Sequence, residues 1–425
     1  MRTFPLEVVL FSFILDAQQG FKCGARRLIV KLYELEIVSE NNGVLPAKRS
    51  YDEACAKLTA EIVHQQLQKS HQIEYETTGE TFHGLKVYIP DGTKVSIADT
   101  PETRDKYGEG QGHYVQSQAL GFYELSTRTF EDFKFEHYNT PERTIAIEHM
   151  SSNTTRSLYM MDAGYNGMAF FAICIEKNHE LLMPLKNCAL AKKFLKSKKR
   201  SAIVEIKLTK THLRNYPDHQ HLLGTRIKVR LIRTLGTSKL RSQVLITTLT
   251  DEETFGWREI TKLYLQRYCV ELAFRHLKTT IGLERIRKRK LLRIEQLLFS
   301  SIVLFNLSAS LRNRVRRPCL LPEKEGVKLH CFTLCIERVH LFLQFVLRPK
   351  HGMKKNLNLT LRAIKGCWFL YKPWRAEPRI CHTPPSEFSV QKGADMELEI
   401  ETAKLLNIEY EILAQQYGQK EVKNA

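Results

Sequence analysis

Paired cysteines are what this chain most conspicuously lacks. Its ten cysteines are scattered without framework spacing along 425 residues. That excludes a disulfide-stapled secreted scaffold and points to reduced thiols in a cytosol-like compartment. No C-x2-C knuckle accompanies the cluster of His330, Cys331 and Cys335, the more distant His340, or the isolated Cys381-His382, so a structural zinc finger is not expected. Long apolar runs are missing too, and nothing reaches the roughly 20 apolar residues of a membrane span. The opening MRTFPLEVVLFSFILDAQQG has a short apolar run preceded by Glu7 and followed by no small-residue cleavage pattern, so it reads as the buried first helix of a soluble intracellular protein. Repeats and low-complexity tracts are absent, which excludes solenoids. Acidic residues are short: 46 Asp and Glu face 65 Lys and Arg, giving +19 and a pI near 9.4. Such an excess favours a polyanionic partner, nucleic acid before an acidic membrane surface. A basic enzyme without such a partner is the plainer alternative.

What is present is ordinary globular composition, 43% hydrophobic and 26% charged, with length for two or three domains. Residues 1–82 carry helical periodicity in VVLFSFIL, RRLIVKLYELEIV and YDEACAKLTAEIVHQQL. From about Leu85 the pattern alternates. LKVYIPDGTKVSIAD, ALGFYELSTRTF and EDFKFEHY read as three strands. TPERTIAIEHM reads as a helix with Thr140 as N-cap and Pro141 in its first position. RSLYMMDAGYNG then gives a buried strand, GMAFFAICIEKN a helix and HELLMPLKN a strand. Strands and helices in that order describe an α/β protein with a mixed sheet over 83–186. SAIVEIKL, TRIKVRLIRTL and SQVLITTL mark a β-rich insertion over 187–251. Residues 252–318 return to the core as helices, and 319–425 form a helical C-terminal region with a polar tail.

The chemistry sits on three acids. Asp91 lies in VYIPDGTKV, at or within the first strand, and Asp162 ends the apolar run LYMMD. An apolar strand ending in Asp puts a carboxylate at the carboxyl edge of a sheet, where open α/β folds place their sites. Glu271 stands in LYLQRYCVELAFRHLKTTIGLE. On a helical wheel Tyr264, Arg267, Glu271 and Lys278 share one stripe, beside an apolar stripe of Leu263, Val270, Phe274, Leu277 and Ile281. Three converging carboxylates repel one another unless cations sit among them, and hard divalent ions such as Mg²⁺ or Mn²⁺ suit oxygen ligands. Two such ions can serve an in-line phosphoryl displacement. Each acid also has a plain reading: Asp91 as a turn residue, Asp162 as a cap, Glu271 as an ion-pair partner of Arg267 or Arg275.

The spacing Y-x2-R-x3-E-x6-K, here Tyr264, Arg267, Glu271 and Lys278, resembles the signature of the insertion sequence four family of bacterial transposases. PDGTKVSIADTPETRDKYG is similar to that family's first-aspartate block, DAGYNG to its second, and LITTLTD to the segment before its last helix. SYDEACAKL and KPWRAEPR resemble its flanks. The likeness runs over roughly residues 5 to 380. It implies a DDE-type enzyme with an RNase H-like core, in which Asp91, Asp162 and Glu271 bind a pair of Mg²⁺ (or Mn²⁺) ions. It implies that Tyr264, Arg267 and Lys278 hold phosphates near the cut end. The β insertion would manage a DNA hairpin, with Trp257 as a stacking residue for an extruded base. The implied partners are double-stranded DNA and a second copy of the chain, in the bacterial cytoplasm.

This sequence departs from the family at Tyr268, where relatives often have Trp, and at Pro184, where some hairpin formers have a phosphate-contacting Arg; Lys186 stands nearby. Sequence before the first helix is short. KKFLKSKKRS, ERIRKRKLLR (with Arg285, Arg287 and Lys288) and LRNRVRR are the densest basic runs and candidates for phosphate contact. A decayed or repurposed DNA-binding relative, or a metal-dependent nuclease that cuts without joining, fits the same residues.

Overall fold

The computed structural model describes residues 4–370, apart from 111–113, 166, 187, 198, 235–243, 322–327 and 350–351. KPWRAEPR, Cys381-His382 and the polar tail lie outside the described residues. Four helices open the chain: α1 (Leu6–Gln18), α2 (Ala25–Glu34), α3 (Lys48–Lys57) and α4 (Ala60–Thr78). The stretch read as one run from Tyr51 is two helices. The backbone turns extended at Leu58 and Thr59, and the Thr59 hydroxyl accepts a hydrogen bond from Ile62 N at 3.3 Å, capping the second helix. Most of α1 is buried, Val9 and Phe13 completely.

The layer that follows holds β1 (Lys86–Ser96), α5 (Pro101–Tyr107), β2 (Gln116–Glu124), β3 (Thr129–His137), α6 (Glu142–Ser152), β4 (Ser157–Met160), α7 (Met168–Glu176) and β5 (Glu180–Pro184). Helix α5 was not anticipated, although Thr100 builds a capping box with Thr103 and Pro101 opens the first turn, both helix-start signals. In α6 the cap lies one residue later than expected: Pro141 is the capping position, without a side-chain bond, and Glu142 begins the helix. Next come α8 (Ala189–Lys196), β6 (Ser201–Lys207), α9 (Lys210–Leu213), β7 (Arg226–Arg233) and β8 (Val244–Thr247).

All eight strands join one sheet, in the order β3-β2-β1-β4-β5-β8-β7-β6. The first three are antiparallel, β1, β4 and β5 run parallel, and β8, β7 and β6 continue antiparallel. Three antiparallel strands passing into a parallel pair, with helices on both faces, is the RNase H-like arrangement. The strands of 187–251 make no sheet of their own among the described residues; β8 pairs with β5, and β7 and β6 extend the same sheet outward.

Side-chain alternation divides two cores. Val87, Ile89, Leu158, Met160 and Leu182 face the N-terminal and C-terminal helices. Tyr88, Tyr159, Met161, Leu181 and Met183 face α6, α7 and α8. Neighbouring residues go to opposite faces, as the period of two requires.

The chain closes with α10 (Trp257–Leu265), α11 (Cys269–Arg275), α12 (Leu291–Val315), β9 (Lys328–His330), α13 (Phe332–Leu347), α14 (Met353–Gly366) and β10 (Trp368–Leu370). Helix α12 is long and apolar enough by composition to cross a bilayer, yet 78% of that apolar window is buried inside the protein. Its Asn306 donates to Phe130 O at 2.8 Å and accepts from Phe130 N at 2.8 Å. Asn313 donates to Thr127 O at 2.7 Å. Buried amides bonded to their neighbours are the habit of a soluble core helix.

Candidate active site

Strand β1 prepares the site by losing a neighbour. Its parallel pairing with β4 runs Lys86↔Ser157, Val87↔Leu158, Tyr88↔Tyr159 and stops there. Two residues on stands Pro90, which has no N–H to give to a ladder, while pairing with β2 continues to Ser96. The sheet therefore forks just before Asp91. The β1–β4 offset is 71 (159 − 88), and carried past the fork it sets Asp91 opposite Asp162.

Asp162 follows β4 directly. Its Oδ1 accepts from Gly164 N at 2.7 Å, an Asx-type turn that fixes the carboxylate against the backbone. A Cβ at Gly164 would lie 2.8 Å from that oxygen, so the turn closes this tightly only without a side chain.

Glu271 comes from a helical rod that contacts β1 beyond the fork and the chain just past β4. Between α10 and α11 the rod tightens over Gln266–Tyr268, and after α11 it widens over His276–Ile281. Its apolar stripe is buried as the wheel predicts: Leu263, Val270, Leu277 and Ile281 at 0% exposure and Phe274 at 7%. The polar stripe straddles the fork. The Tyr264 hydroxyl donates to Met161 O at 3.1 Å, beside Asp162. The Lys278 ammonium donates to Lys94 O at 2.6 Å, on β1 beyond Asp91. Glu271 lies seven residues from each of these two anchors, midway along the rod, and its charge reaches the Asp91 carboxyl. Its carboxylate accepts from the Arg267 guanidinium at 2.7 Å. Arg267 is largely buried and Glu271 half exposed, at 13% and 49%.

The electrostatics register the crowding. Burial pushes the Asp91 carboxyl up to about 7, against the pull of Arg267, and the charges of Asp162, Glu142 and Glu271 add to the rise,. Glu142 is a fourth acid that sequence reasoning missed. It accepts from Gln118 Nε2 at 3.1 Å and from the buried Tyr165 hydroxyl at 2.9 Å. A Cβ at Gly92 would fall 2.2 Å from its Oε1, so the glycine after Asp91 leaves room for this carboxylate. The only sequence signal was a glutamate in the first turn of α6, which is also where helices carry acids for their dipole.

The remaining sequence candidates are placed apart from the triad. Trp257 opens α10, half-buried, with the guanidiniums of Arg200 and Arg258 4.8 and 5.2 Å from its ring centre. Lys186 is exposed two residues past β5. Arg285 and Arg287 are exposed after the rod. Lys288 turns inward, 3.6 Å from the buried carboxylate of Asp16 and 3.3 Å from Cys23 O. His330 bonds Ile364 O and His340 bonds Gln18; among the described residues neither joins a group with metal-ligand spacing.

A forked RNase H-like sheet with one aspartate within β1, a second just past β4 and a glutamate on a neighbouring helix is the arrangement of the DDE class of DNA-acting enzymes, and the chain belongs to the transposase DDE-domain family, whose model matches residues 83–307. The chain is 25% identical over 318 residues to the transposase InsG for insertion sequence element IS4 of Escherichia coli (strain K12), covering 72% of this chain and 69% of that protein. A solved piggyBac transposase synaptic complex with hairpin DNA overlaps 85% of this chain and 75% of its own, at 10% identity and a TM-score of 0.40, too loosely to carry an argument. The chain is a DNA transposase.

Proposed function

We propose that this transposase moves an insertion sequence by cutting and pasting, cleaving the DNA ends of its element and joining them to target DNA. The observation that supports the reading is Asp91 and Asp162 in register at the fork of β1 and β4, with Glu271 on the rod near enough for its charge to raise the Asp91 carboxyl. Bringing the three carboxylates onto shared ions needs Glu271 to swing from Arg267. The donors are all carboxylate oxygens, and the partly protonated state that burial and like charges favour at Asp91 is what a cation among them would reverse. That set fits Mg²⁺ or Mn²⁺ in a two-ion site held by the three acids. When bound, such ions would help activate the attacking oxygen and stabilise the leaving oxygen of an in-line displacement.

The chain's own side chains would do the positioning. Arg267, paired with Glu271, is the cation best placed to take a phosphate oxygen when Glu271 turns to the aspartates. Tyr264 and Lys278 fix the rod across the fork. A water would cut the element's end, releasing a 3′-hydroxyl. That hydroxyl would displace a 3′-oxygen on the opposite strand, closing a hairpin, and a second water would reopen it. The 3′ end would finally displace a 3′-oxygen of target DNA. Each step exchanges one oxygen for another at one phosphate. Trp257 offers a face on which an extruded base could stack. Exposed Lys186, Arg285 and Arg287 offer phosphate contacts that position the duplex. Two element ends call for two copies of the chain, working in the bacterial cytoplasm.

The test is incubation of the full chain and Mg²⁺ with labelled duplex carrying the native flanking sequence. Cut ends, a denaturation-resistant hairpin and joined target product are expected. Cutting and rejoining without hairpin would remove that intermediate. Cutting with no joining, even from precut ends, would reduce the protein to a nuclease.

A further inference from the structure

From the geometry at the far end of α7, we infer a second metal site, for a zinc-class transition ion, made by Glu176, His219 and His221. It stands independently of the DNA chemistry. Helix α7 begins just after the Asp162 turn and ends at Glu176, and nine residues at 1.5 Å per residue put about 13 Å between its ends.

His219 and His221 lie on Pro217–Leu222, two short tight turns that meet at a kink. Residues two apart on a tight helix would point away from each other. Here the backbone at His219 leaves helical geometry (φ −113°, ψ 25°), and both rings turn to the same carboxylate. His221 Nε2 lies 2.5 Å from Glu176 Oε1, and His219 Nδ1 lies 3.8 Å from Oε2. One donor atom from each residue falls within 4.8 Å of the other two. Tetrahedral ligands about 2.0–2.2 Å from zinc stand roughly 3.3 Å apart, within reach of small side-chain adjustments.

Two further observations favour an ion over a plain ion pair. His219 Nδ1 is buried with no hydrogen-bond partner among the described residues, an arrangement that costs free energy unless something is bound. Glu176 closes its helix, where the macrodipole disfavours an anion and favours a cation. Two imidazoles and one carboxylate select zinc or cobalt over magnesium, and three protein ligands leave one position for water or a further donor. The ion would pin the connection between β6 and β7, at the outer edge of the sheet, onto the core helix that starts at the active site.

The test titrates zinc chloride, by calorimetry, into the full chain carrying Asp91→Asn, Asp162→Asn and Glu271→Gln, which removes the triad as a competing site. One zinc per chain is expected, with millimolar Mg²⁺ not competing. Adding His219→Gln and His221→Gln should weaken it at least tenfold. Glu176→Gln keeps a bond to His221 and should weaken it as well, with circular dichroism confirming that each variant folds. Cobalt(II) should give ligand-field bands without thiolate charge transfer, which separates this site from the cysteines. Zinc binding unchanged by these substitutions, no binding at all, or a thiolate spectrum would overturn the site.

Discussion

At Gly92 one methyl group would land 2.2 Å from Glu142 Oε1, next to Asp91. Gly92→Ala should therefore displace Glu142, disturb the backbone beside Asp91 and lower DNA cleavage at least tenfold, with little loss of thermal stability. Full activity in that variant would show that Glu142 needs no fixed place. A second residue-scale prediction concerns pH. His149 is buried, stacked on Phe122 at 3.7 Å, and shares a hydrogen bond with Tyr159 at 3.0 Å; burial holds it down to about 4. His71 is likewise held down by burial, to about 3. The unfolded imidazoles titrate near 6.5 and take protons that the folded ones refuse, so stability is full above that value and falls as pH drops towards 4. Urea midpoints should fall between pH 7 and pH 5, and less steeply in His149→Gln; equal slopes in the two proteins would acquit His149. The place of Asp162 just past β4 was legible at this scale because an apolar run ended in it. Glu142 was not, because a first-turn glutamate has a plain use in any helix.

The rod from α10 through Ile281 shows how far an element can be read. Its buried stripe matched the wheel although the rod tightens and then widens, since the two departures rotate side chains in opposite senses. The polar stripe was legible as a stripe but not in its contacts. Lys278 is expected from the resemblance to hold a phosphate; in the fold its ammonium is bonded to Lys94 O and near Glu284, at 2.6 and 3.5 Å, and we propose that it fixes the rod. Lys278→Met should cut cleavage about tenfold or more while leaving the salt dependence of DNA binding unchanged. A phosphate contact would lower the slope of log affinity against log salt by about 1, and that change would return Lys278 to the DNA. The break at Leu58 and Thr59 was hidden because apolar spacing continues across it. Helix α5 has a capping box but only seven residues, too few for a repeating apolar stripe to mark it.

For the whole molecule, alternation and run length revealed nearly every strand of the sheet, but periodicity is local and cannot say which strands pair. That β8 lies beside β5, and that β7 and β6 lengthen the same sheet, are long-range facts that only the fold supplies. The net charge of +19 foretold a polyanion, and the family bears this out with DNA. The same excess should make DNA affinity fall steeply with salt. The central claim is that three acids distant in sequence act as one site. Its most direct measurement is Mg²⁺-dependent cleavage of end-bearing DNA by Asp91→Asn, Asp162→Asn and Glu271→Gln, each assayed with its DNA binding. Loss of cleavage by at least a thousandfold in every variant, with binding retained, is predicted; near-normal cutting by any one of them would take that residue out of the site.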